Sequence, residues 1–206
     1  MNQEMTAILL SGGKSSRIGD DKALLKITDV PIIEDIYNLL KRIFNKIILI
    51  TNVPLNYNFL NVEIYEDIYR GLGPLSGIHS GLVNSDTENN FIISCDMPFV
   101  TNDLINFLIR QISEEDILIP KSNKNIHSLC AVYKKNCLPK IEELLKQVPI
   151  NYNETGKTKI KLFDLINSVN TRFIEISKQS FFNEDIVFNM NTIEDFKFAL
   201  NKFKKL

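Results

Sequence analysis

A glycine-rich stretch with two basic side chains is the first feature of the sequence that could carry chemistry. It follows the apolar run Thr6 to Leu10 and has the sequence Ser11-Gly12-Gly13-Lys14-Ser15-Ser16-Arg17-Ile18-Gly19-Asp20-Asp21-Lys22. Consecutive backbone N–H groups in such a turn form a concave surface for phosphate oxygens, and glycine permits close approach because it has no Cβ. Arg17 and Lys22 add positive charge. The stretch therefore predicts a nucleoside triphosphate site.

Two better-known phosphate motifs do not fit the sequence. A P-loop ending at Gly13-Lys14-Ser15 would need its first glycine at position 8, where Ile8 stands inside the apolar run. The segment Gly71 to Ser76 approaches a dinucleotide-binding fingerprint, but it ends in serine and contains Pro74. We therefore expect neither a Walker-type nucleotide hydrolase nor a hydride-transfer enzyme.

An acidic residue follows another apolar run. Phe91-Ile92-Ile93-Ser94 leads into Cys95-Asp96-Met97-Pro98. A carboxylate at the end of a central strand lies where ligands collect in α/β sheets, and Mg²⁺ commonly uses one or two carboxylates together with phosphate oxygens and water. Asp96 is thus a candidate metal ligand, although an aspartate that stabilises the turn before Pro98 has the same sequence pattern.

The elements that must position these residues alternate along the chain. Short apolar runs predict strands, and longer stretches of helical period separate them, which is typical of a mostly parallel sheet covered by helices on both faces. The predicted strands are 6–10, 46–51, 62–65, 91–94, 117–120, 131–133, 173–176 and 186–188. The predicted helices are 32–44, 75–83, 102–113, 137–147, 160–168 and 192–203. The sequence therefore predicts a three-layer, Rossmann-like α/β fold.

Length and composition limit the class of protein. A chain of 206 residues fits one domain, and we expect 1–206 to form a single unit. The formal charge of −1 gives no overall field for nucleic acid or an anionic membrane. The 3 cysteines favour a reducing compartment over a disulfide framework. No apolar run approaches the ~18 residues of a membrane span, and the first residues do not resemble a secretory signal, so we expect a cytoplasmic protein.

The motifs together resemble those of one family, the molybdenum cofactor guanylyltransferases. The first is Leu10-Ser11-Gly12-Gly13-x-Ser15-x-Arg17-Ile18-Gly19-x-Asp21-Lys22-Ala23-Leu24-Leu25, in which the family usually has Ala in place of Ser11 and Met in place of Ile18. Cys95-Asp96-Met97-Pro98, Gly73-Pro74-Leu75-Ser76-Gly77-Ile78 and Asn189-Met190-Asn191-Thr192 resemble three further family elements. The resemblance implies a nucleotidyltransferase fold and the transfer of GMP from GTP to the terminal phosphate of molybdopterin, with release of pyrophosphate.

The resemblance also implies roles for individual residues. It makes Mg²⁺ the cofactor and Asp96 its ligand, and it makes Asp96, Lys22 and Arg17 the catalytic residues. The implied GTP-binding residues are Leu10, Ser11, Gly12, Gly13, Lys22, Asn52, Asp67, Gly73, Pro74 and Asp96. The implied acceptor-binding residues are His127, Asn189 and Asn191. We expect the nucleotide half to span about 1–115 and the acceptor half about 116–206.

Several alternatives stay open at this point. The glycine-rich turn would hold the phosphates whichever base is attached, so a molybdopterin cytidylyltransferase or another nucleotidyltransferase of this fold is possible from the sequence. A regulator that binds a nucleotide without reacting is a further alternative. Transient contact with molybdenum-insertion proteins and apo-molybdoenzymes would accompany the main activity, whereas nucleic acid and membrane are not expected partners.

Overall fold

The computed structural model describes residues 2–12, 21–123, 125–147 and 161–204. Its strands are β1 (Asn2–Ser11), β2 (Phe44–Thr51), β3 (Glu63–Tyr65), β4 (Asn89–Ser94), β5 (Ile117–Ser122), β6 (Asn125–Ile126), β7 (Cys130–Lys134) and β8 (Thr171–Glu175). Its α-helices are α1 (Ile32–Leu40), α2 (Pro74–Asn84), α3 (Asn102–Arg110), α4 (Leu138–Lys146), α5 (Leu162–Ile166) and α6 (Ile193–Phe203). Short 3₁₀ turns lie at Lys22–Leu24, Pro54–Tyr57, Lys135–Cys137 and Glu184–Val187.

The described strands form one mixed sheet with the order β3-β2-β1-β4-β7-β5-β6, and β8 pairs with β5. Strands β1 to β4 are parallel to their neighbours within this group, and β8 is parallel to β5. Strand β7 runs antiparallel to both β4 and β5. In the register of β1, Leu10 is opposite Ile50 on one side and Ser94 on the other. The carboxyl ends of β1, β2 and β4 therefore lie side by side at one edge.

Both faces of the sheet are buried. Ala7 and Leu9 of β1 pack into a core with α1, α3 and α6, while Ile8 and Leu10 pack into a second core with α2, α4 and α5. Successive side chains of a strand point to opposite faces, so a strand covered on both sides is a continuous apolar run. The predicted three-layer α/β fold with a mostly parallel sheet is confirmed.

Two local predictions from the sequence are wrong, and one short strand was not predicted. The first helix ends at Leu40 and not at Phe44, because Phe44 begins β2 and stacks on Phe91 with ring centroids 5.6 Å apart. The run Ile186 to Phe188 is not a strand, since Glu184–Val187 forms a 3₁₀ turn whose start is capped by the Asn183 side chain. Strand β6 is only two residues long and was not expected. Periodicity alone does not show whether a short apolar run forms a strand, a 3₁₀ turn or the end of a helix.

The structure also shows the state of the cysteines and the length of the helices. All three cysteines are buried free thiols. Within the described ranges, none of the helices is both long enough and apolar enough to cross a membrane.

Candidate active site at the carboxyl edge of the sheet

The glycine-rich stretch and the candidate metal ligand begin at the same place in the fold. The Cys95 N–H donates a hydrogen bond of 3.0 Å to the Leu10 carbonyl oxygen, which joins the end of β4 to the end of β1. The side chain of Leu10 is buried in the core under α2, and Gly12 is exposed at the edge. Asp96 and the start of the glycine-rich stretch can therefore contact one ligand.

Asp96 has the environment of a cation ligand. Its Oδ1 atom is buried and has no hydrogen-bond partner within the described residues. Burial raises the pKa of this carboxyl, while a hydrogen bond from the Ser94 side chain and the charge of Lys22 oppose the change. A buried, unpaired carboxylate oxygen is unfavourable unless a positive group neutralises it, so this oxygen fits a divalent metal.

Asp96 does not belong to a larger cluster of metal-ligating side chains within the described ranges. Among the residues that the structure describes, no group of three or more His, Cys, Asp or Glu side chains could hold an ion. A metal at Asp96 would therefore take most of its ligands from phosphate oxygens and water, which is the usual coordination of Mg²⁺ in nucleotide enzymes.

Lys22 is near enough to Asp96 for its charge to act on that carboxyl, and its side chain contacts the C-terminal part of the chain. Its Nζ atom donates to Asn191 Oδ1 at 3.0 Å and to the Met190 carbonyl oxygen at 3.3 Å. The Met190 N–H in turn donates to the backbone oxygen of Asp96 at 2.8 Å. The fold thus brings a cation, a carboxylate and an amide side chain to one place from three distant parts of the sequence.

Asn52 and Asp67 form a pair at the ends of β2 and β3. Asn52 Nδ2 donates to Asp67 Oδ2 at 2.7 Å, and the Asp67 N–H donates to Asn52 Oδ1 at 3.2 Å. Burial raises the pKa of Asp67, and the hydrogen bond from Asn52 opposes this. A Cβ on Gly77 would lie 3.3 Å from Leu10 Cδ2 and 3.7 Å from Asp67 Oδ1, so helix α2 passes close to both.

The loop before α2 has a backbone that only glycine adopts readily. Gly73 has φ +75° and ψ −160°, and Pro74 begins the helix directly after it. Two buried serines of α2 hold the preceding loop, because Ser76 Oγ donates to the Tyr69 carbonyl and Ser80 Oγ accepts from the Ile68 N–H. The start of α2 is therefore fixed next to Asp67.

Replacing Gly73 by alanine is expected to lower the free energy of unfolding by about 1–3 kcal/mol, because a Cβ is strained at this φ and ψ. No heavy atom lies within 4 Å of the added Cβ, so strain and not a clash is the cause. Urea denaturation followed by circular dichroism measures the change. Gly12→Ala is the control, because its Cβ also meets nothing within 4 Å and its φ is not positive. Equal stabilities of the two variants would contradict this explanation.

His127 lies in the turn between β6 and β7. Its ring atom Nε2 is 2.8 Å from Ser122 Oγ. Its backbone N–H donates to the Pro120 carbonyl oxygen. Burial lowers the pKa of this imidazole. The turn borders the strand that leads to Asp96, because the Ser94 N–H donates to the Leu129 carbonyl oxygen at 2.9 Å.

The comparisons with known proteins agree with this geometry. The family model described as the MobA-like NTP transferase domain matches residues 7–154. The chain belongs to the MobA-like NTP transferase family. The resemblance read from the motifs is thereby confirmed, and the protein is a nucleotidyltransferase.

Individual MobA-like relatives match nearly the whole chain. A probable molybdenum cofactor guanylyltransferase of Clostridium perfringens is 36% identical over 199 residues, which cover 96% of this chain and 96% of the relative. The structure of molybdopterin-guanine dinucleotide biosynthesis protein A from Archaeoglobus fulgidus has a TM-score of 0.81 at 22% identity and covers 98% of this chain and 100% of that one. A Mycobacterium tuberculosis protein in complex with manganese has a TM-score of 0.67 at 12% identity and covers 98% and 100%. These two structures share the fold.

Not every residue expected at the MobA-like site can be located. Gly13 and Arg17 lie outside the described residues. The Ser11 hydroxyl, expected beside the nucleotide, is bonded inside the protein to the Tyr57 hydroxyl. Asn189 bonds within its own turn, where its Nδ2 donates to the Val187 carbonyl oxygen.

Two residues in contact with the candidate site, Tyr57 and Asp21, were not predicted from the sequence as site residues. Tyr57 is fully buried and contacts both Ser11 and Asp21. Asp21 was quoted only as part of the motif, although its side chain caps the 3₁₀ turn that carries Lys22. A single tyrosine in the connection after β2 forms no motif, so no local signal identified it.

Proposed function

We propose that the protein transfers GMP from GTP to the terminal phosphate of molybdopterin, giving molybdopterin guanine dinucleotide and pyrophosphate. The observation that carries the proposal is the convergence of Lys22 and Asp96 beside the end of β1, where the glycine-rich stretch begins. Such a site can neutralise a triphosphate with the Lys22 ammonium and with a divalent cation held by Asp96. The name of the C. perfringens relative supports the guanine nucleotide and the pterin acceptor.

The proposed nucleotide site follows the edge of the sheet. The backbone of Leu10, Ser11, Gly12 and Gly13 holds the phosphates, and the side chains of Lys22 and Arg17 add charge. The Asn52–Asp67 pair and the Gly73-Pro74 start of α2 border the nucleoside. Their amide, carboxylate and backbone groups supply the donors and acceptors that a base and a ribose need.

We propose Mg²⁺ as the metal, with Asp96 as its protein ligand. The buried Oδ1, which has no partner in the part of the chain that the structure describes, supports this assignment, and the manganese complex of the M. tuberculosis protein supports a divalent ion in this fold. A divalent ion bound here would neutralise charge on the triphosphate and orient it.

The protein then has little covalent chemistry to perform. The acceptor phosphate is already ionised at neutral pH, so its attack on the α-phosphorus needs no general base. The protein aligns the two substrates and stabilises the negative charge that develops on the departing pyrophosphate. The Lys22 ammonium, held by Asn191 and Met190, is placed to do the latter.

We assign the acceptor to residues about 116–206 and the nucleotide to residues about 1–115. These two ranges share the sheet through the pairing of β4 with β7, and Lys22 joins them again through Met190 and Asn191. His127, Asn189 and Asn191 are the proposed acceptor residues. Asn191 contacts Lys22 directly, which supports an acceptor phosphate bound next to the triphosphate. Asn189 directly precedes Met190, whose N–H bonds to the Asp96 backbone, and His127 belongs to the β6–β7 turn whose Leu129 carbonyl bonds to the Ser94 N–H.

A pyrophosphate-release assay with GTP, Mg²⁺ and molybdopterin tests the proposal. We expect release only when all three are present, and a much lower rate when CTP replaces GTP. Faster release with CTP would assign the protein to cytidylyl transfer. Binding of GTP without pyrophosphate release with any phosphorylated acceptor would instead indicate a nucleotide-binding regulator.

A further inference from the structure

A chain of hydrogen bonds connects the end of β1 to the residue before Lys22. Ser11 Oγ lies 2.7 Å from the Tyr57 hydroxyl oxygen, which lies 2.5 Å from Asp21 Oδ2. Tyr57 is completely buried, and Ser11 is nearly so. Ser11 begins the glycine-rich stretch and Asp21 lies near its end, while Tyr57 belongs to the 3₁₀ turn after β2.

The direction of donation in this chain is fixed by its acidic end. A carboxylate only accepts, so the Tyr57 O–H donates to Asp21, and the Ser11 O–H donates to the Tyr57 oxygen. Burial, followed by the hydrogen bond to Asp21, raises the pKa of Tyr57 above its usual range, so the hydroxyl keeps the proton that it donates.

The other oxygen of Asp21 holds the turn that carries Lys22. Asp21 Oδ1 accepts from the Ala23 N–H at 3.2 Å, and the Asp21 carbonyl oxygen accepts from the Leu24 N–H at 2.9 Å. Lys22 is the first residue of this short 3₁₀ turn. A turn of three residues has little stability of its own, so the orientation of its first side chain depends on the cap.

We propose that Tyr57 is a positioning residue for Lys22: its hydroxyl fixes the Asp21 carboxylate, and that carboxylate fixes the turn from which Lys22 reaches the triphosphate. The inference rests on the proposed function for its consequence in nucleotide binding. Its structural part, the link from the Tyr57 hydroxyl to the Ala23 amide, can be tested without any substrate.

The first test measures amide hydrogen exchange at Ala23 by NMR in the protein without nucleotide. Tyr57→Phe keeps the buried ring and removes only the hydroxyl, so we expect exchange at Ala23 about fivefold faster or more, the effect of one weakened hydrogen bond. Tyr37→Phe is the matched control. The Tyr37 hydroxyl donates to the Asn61 carbonyl oxygen in the same β2–β3 connection, but it has no bond to Ser11 or Asp21.

The second test is a double-mutant cycle on GTP affinity, measured by calorimetry with Mg²⁺ present. Tyr57→Phe is expected to weaken GTP binding by about 5–10-fold and to raise KM for GTP by a similar factor. The KM for the acceptor should rise less, because Lys22 reaches the acceptor side only through Asn191 and Met190. In a Lys22→Ala background, Tyr57→Phe should cause no further loss, because it acts through Lys22. Tyr37→Phe should leave GTP affinity unchanged in both backgrounds.

The outcomes separate this inference from the proposed function. Unchanged exchange at Ala23 in folded Tyr57→Phe would overturn the link, whatever the protein binds. Additive losses in the double variant would overturn the action through Lys22. Failure of the wild-type protein to bind any nucleoside triphosphate would refute the proposed function, while faster exchange at Ala23 would still support the link to the turn.

Ser11→Ala, which leaves the Tyr57–Asp21 bond in place, is expected to cause a smaller increase in the exchange rate at Ala23 than Tyr57→Phe does.

Discussion

Replacing Asp96 by asparagine is expected to lower the rate of pyrophosphate release by about 100-fold or more, a loss of at least ~2.7 kcal/mol of barrier stabilisation. Asparagine has nearly the same shape, but it lacks the charge that would hold a divalent metal against the triphosphate. Steady-state assays with saturating GTP and Mg²⁺ measure the effect. Added Mg²⁺ should not restore the wild-type rate.

The stability of the Asp96→Asn variant separates a role at the site from a role in folding. Because Oδ1 of Asp96 is buried and has no hydrogen-bond partner among the described residues, we expect the free energy of unfolding to stay the same or to rise when the charge is removed. Asp103→Asn is the matched control, since Asp103 is exposed in the first turn of α3, and its rate should stay close to that of the wild type. Near-normal activity of Asp96→Asn would remove the metal assignment.

Replacing Lys22 by alanine is expected to reduce turnover by about 100-fold or more as well, because the charge on the departing pyrophosphate loses an ammonium group that stabilises it. The same change removes the bonds from Lys22 Nζ to Asn191 and to the Met190 carbonyl oxygen. We therefore expect a weaker apparent affinity for the acceptor in addition to the slower reaction. Initial rates measured over a range of GTP and of molybdopterin concentrations give both quantities.

The control for Lys22→Ala lies four positions further along the chain. Lys26 is exposed and makes no ion pair within the described residues, so Lys26→Ala removes a charge of the same sign without touching the site. Its activity should remain close to that of the wild type. Equal losses in the two variants would mean that Lys22 contributes only general positive charge.

The layered fold was predictable because it depends on local patterns. The run Phe91-Ile92-Ile93 has no polar alternation, and in the structure both of its faces are covered. Where the local pattern was ambiguous the prediction failed. The run Ile186 to Phe188 has the apolar composition of a buried strand, but a 3₁₀ turn capped by the Asn183 side chain forms there. The sequence does not show whether a neighbouring strand is available to pair with such a run, so a strand and a turn could not be distinguished.

The candidate site was predictable only in part. The glycine-rich stretch and Asp96 were identified from residue types and from motifs, because each motif is a continuous segment. The sequence by itself therefore determined the class of the fold, the family, and the two segments from which the site is built.

The tertiary structure alone decided what those segments contact. Lys22 and Asn191 are separated by 169 positions, and Ser11 and Tyr57 by 46, yet each pair is joined by a hydrogen bond. Such pairs are created by the order and direction of the strands, which place distant strand ends at one edge of the sheet. Hydrophobic periodicity is set by neighbouring residues and can be read from them, whereas a polar contact across the edge exists only after the whole sheet has assembled.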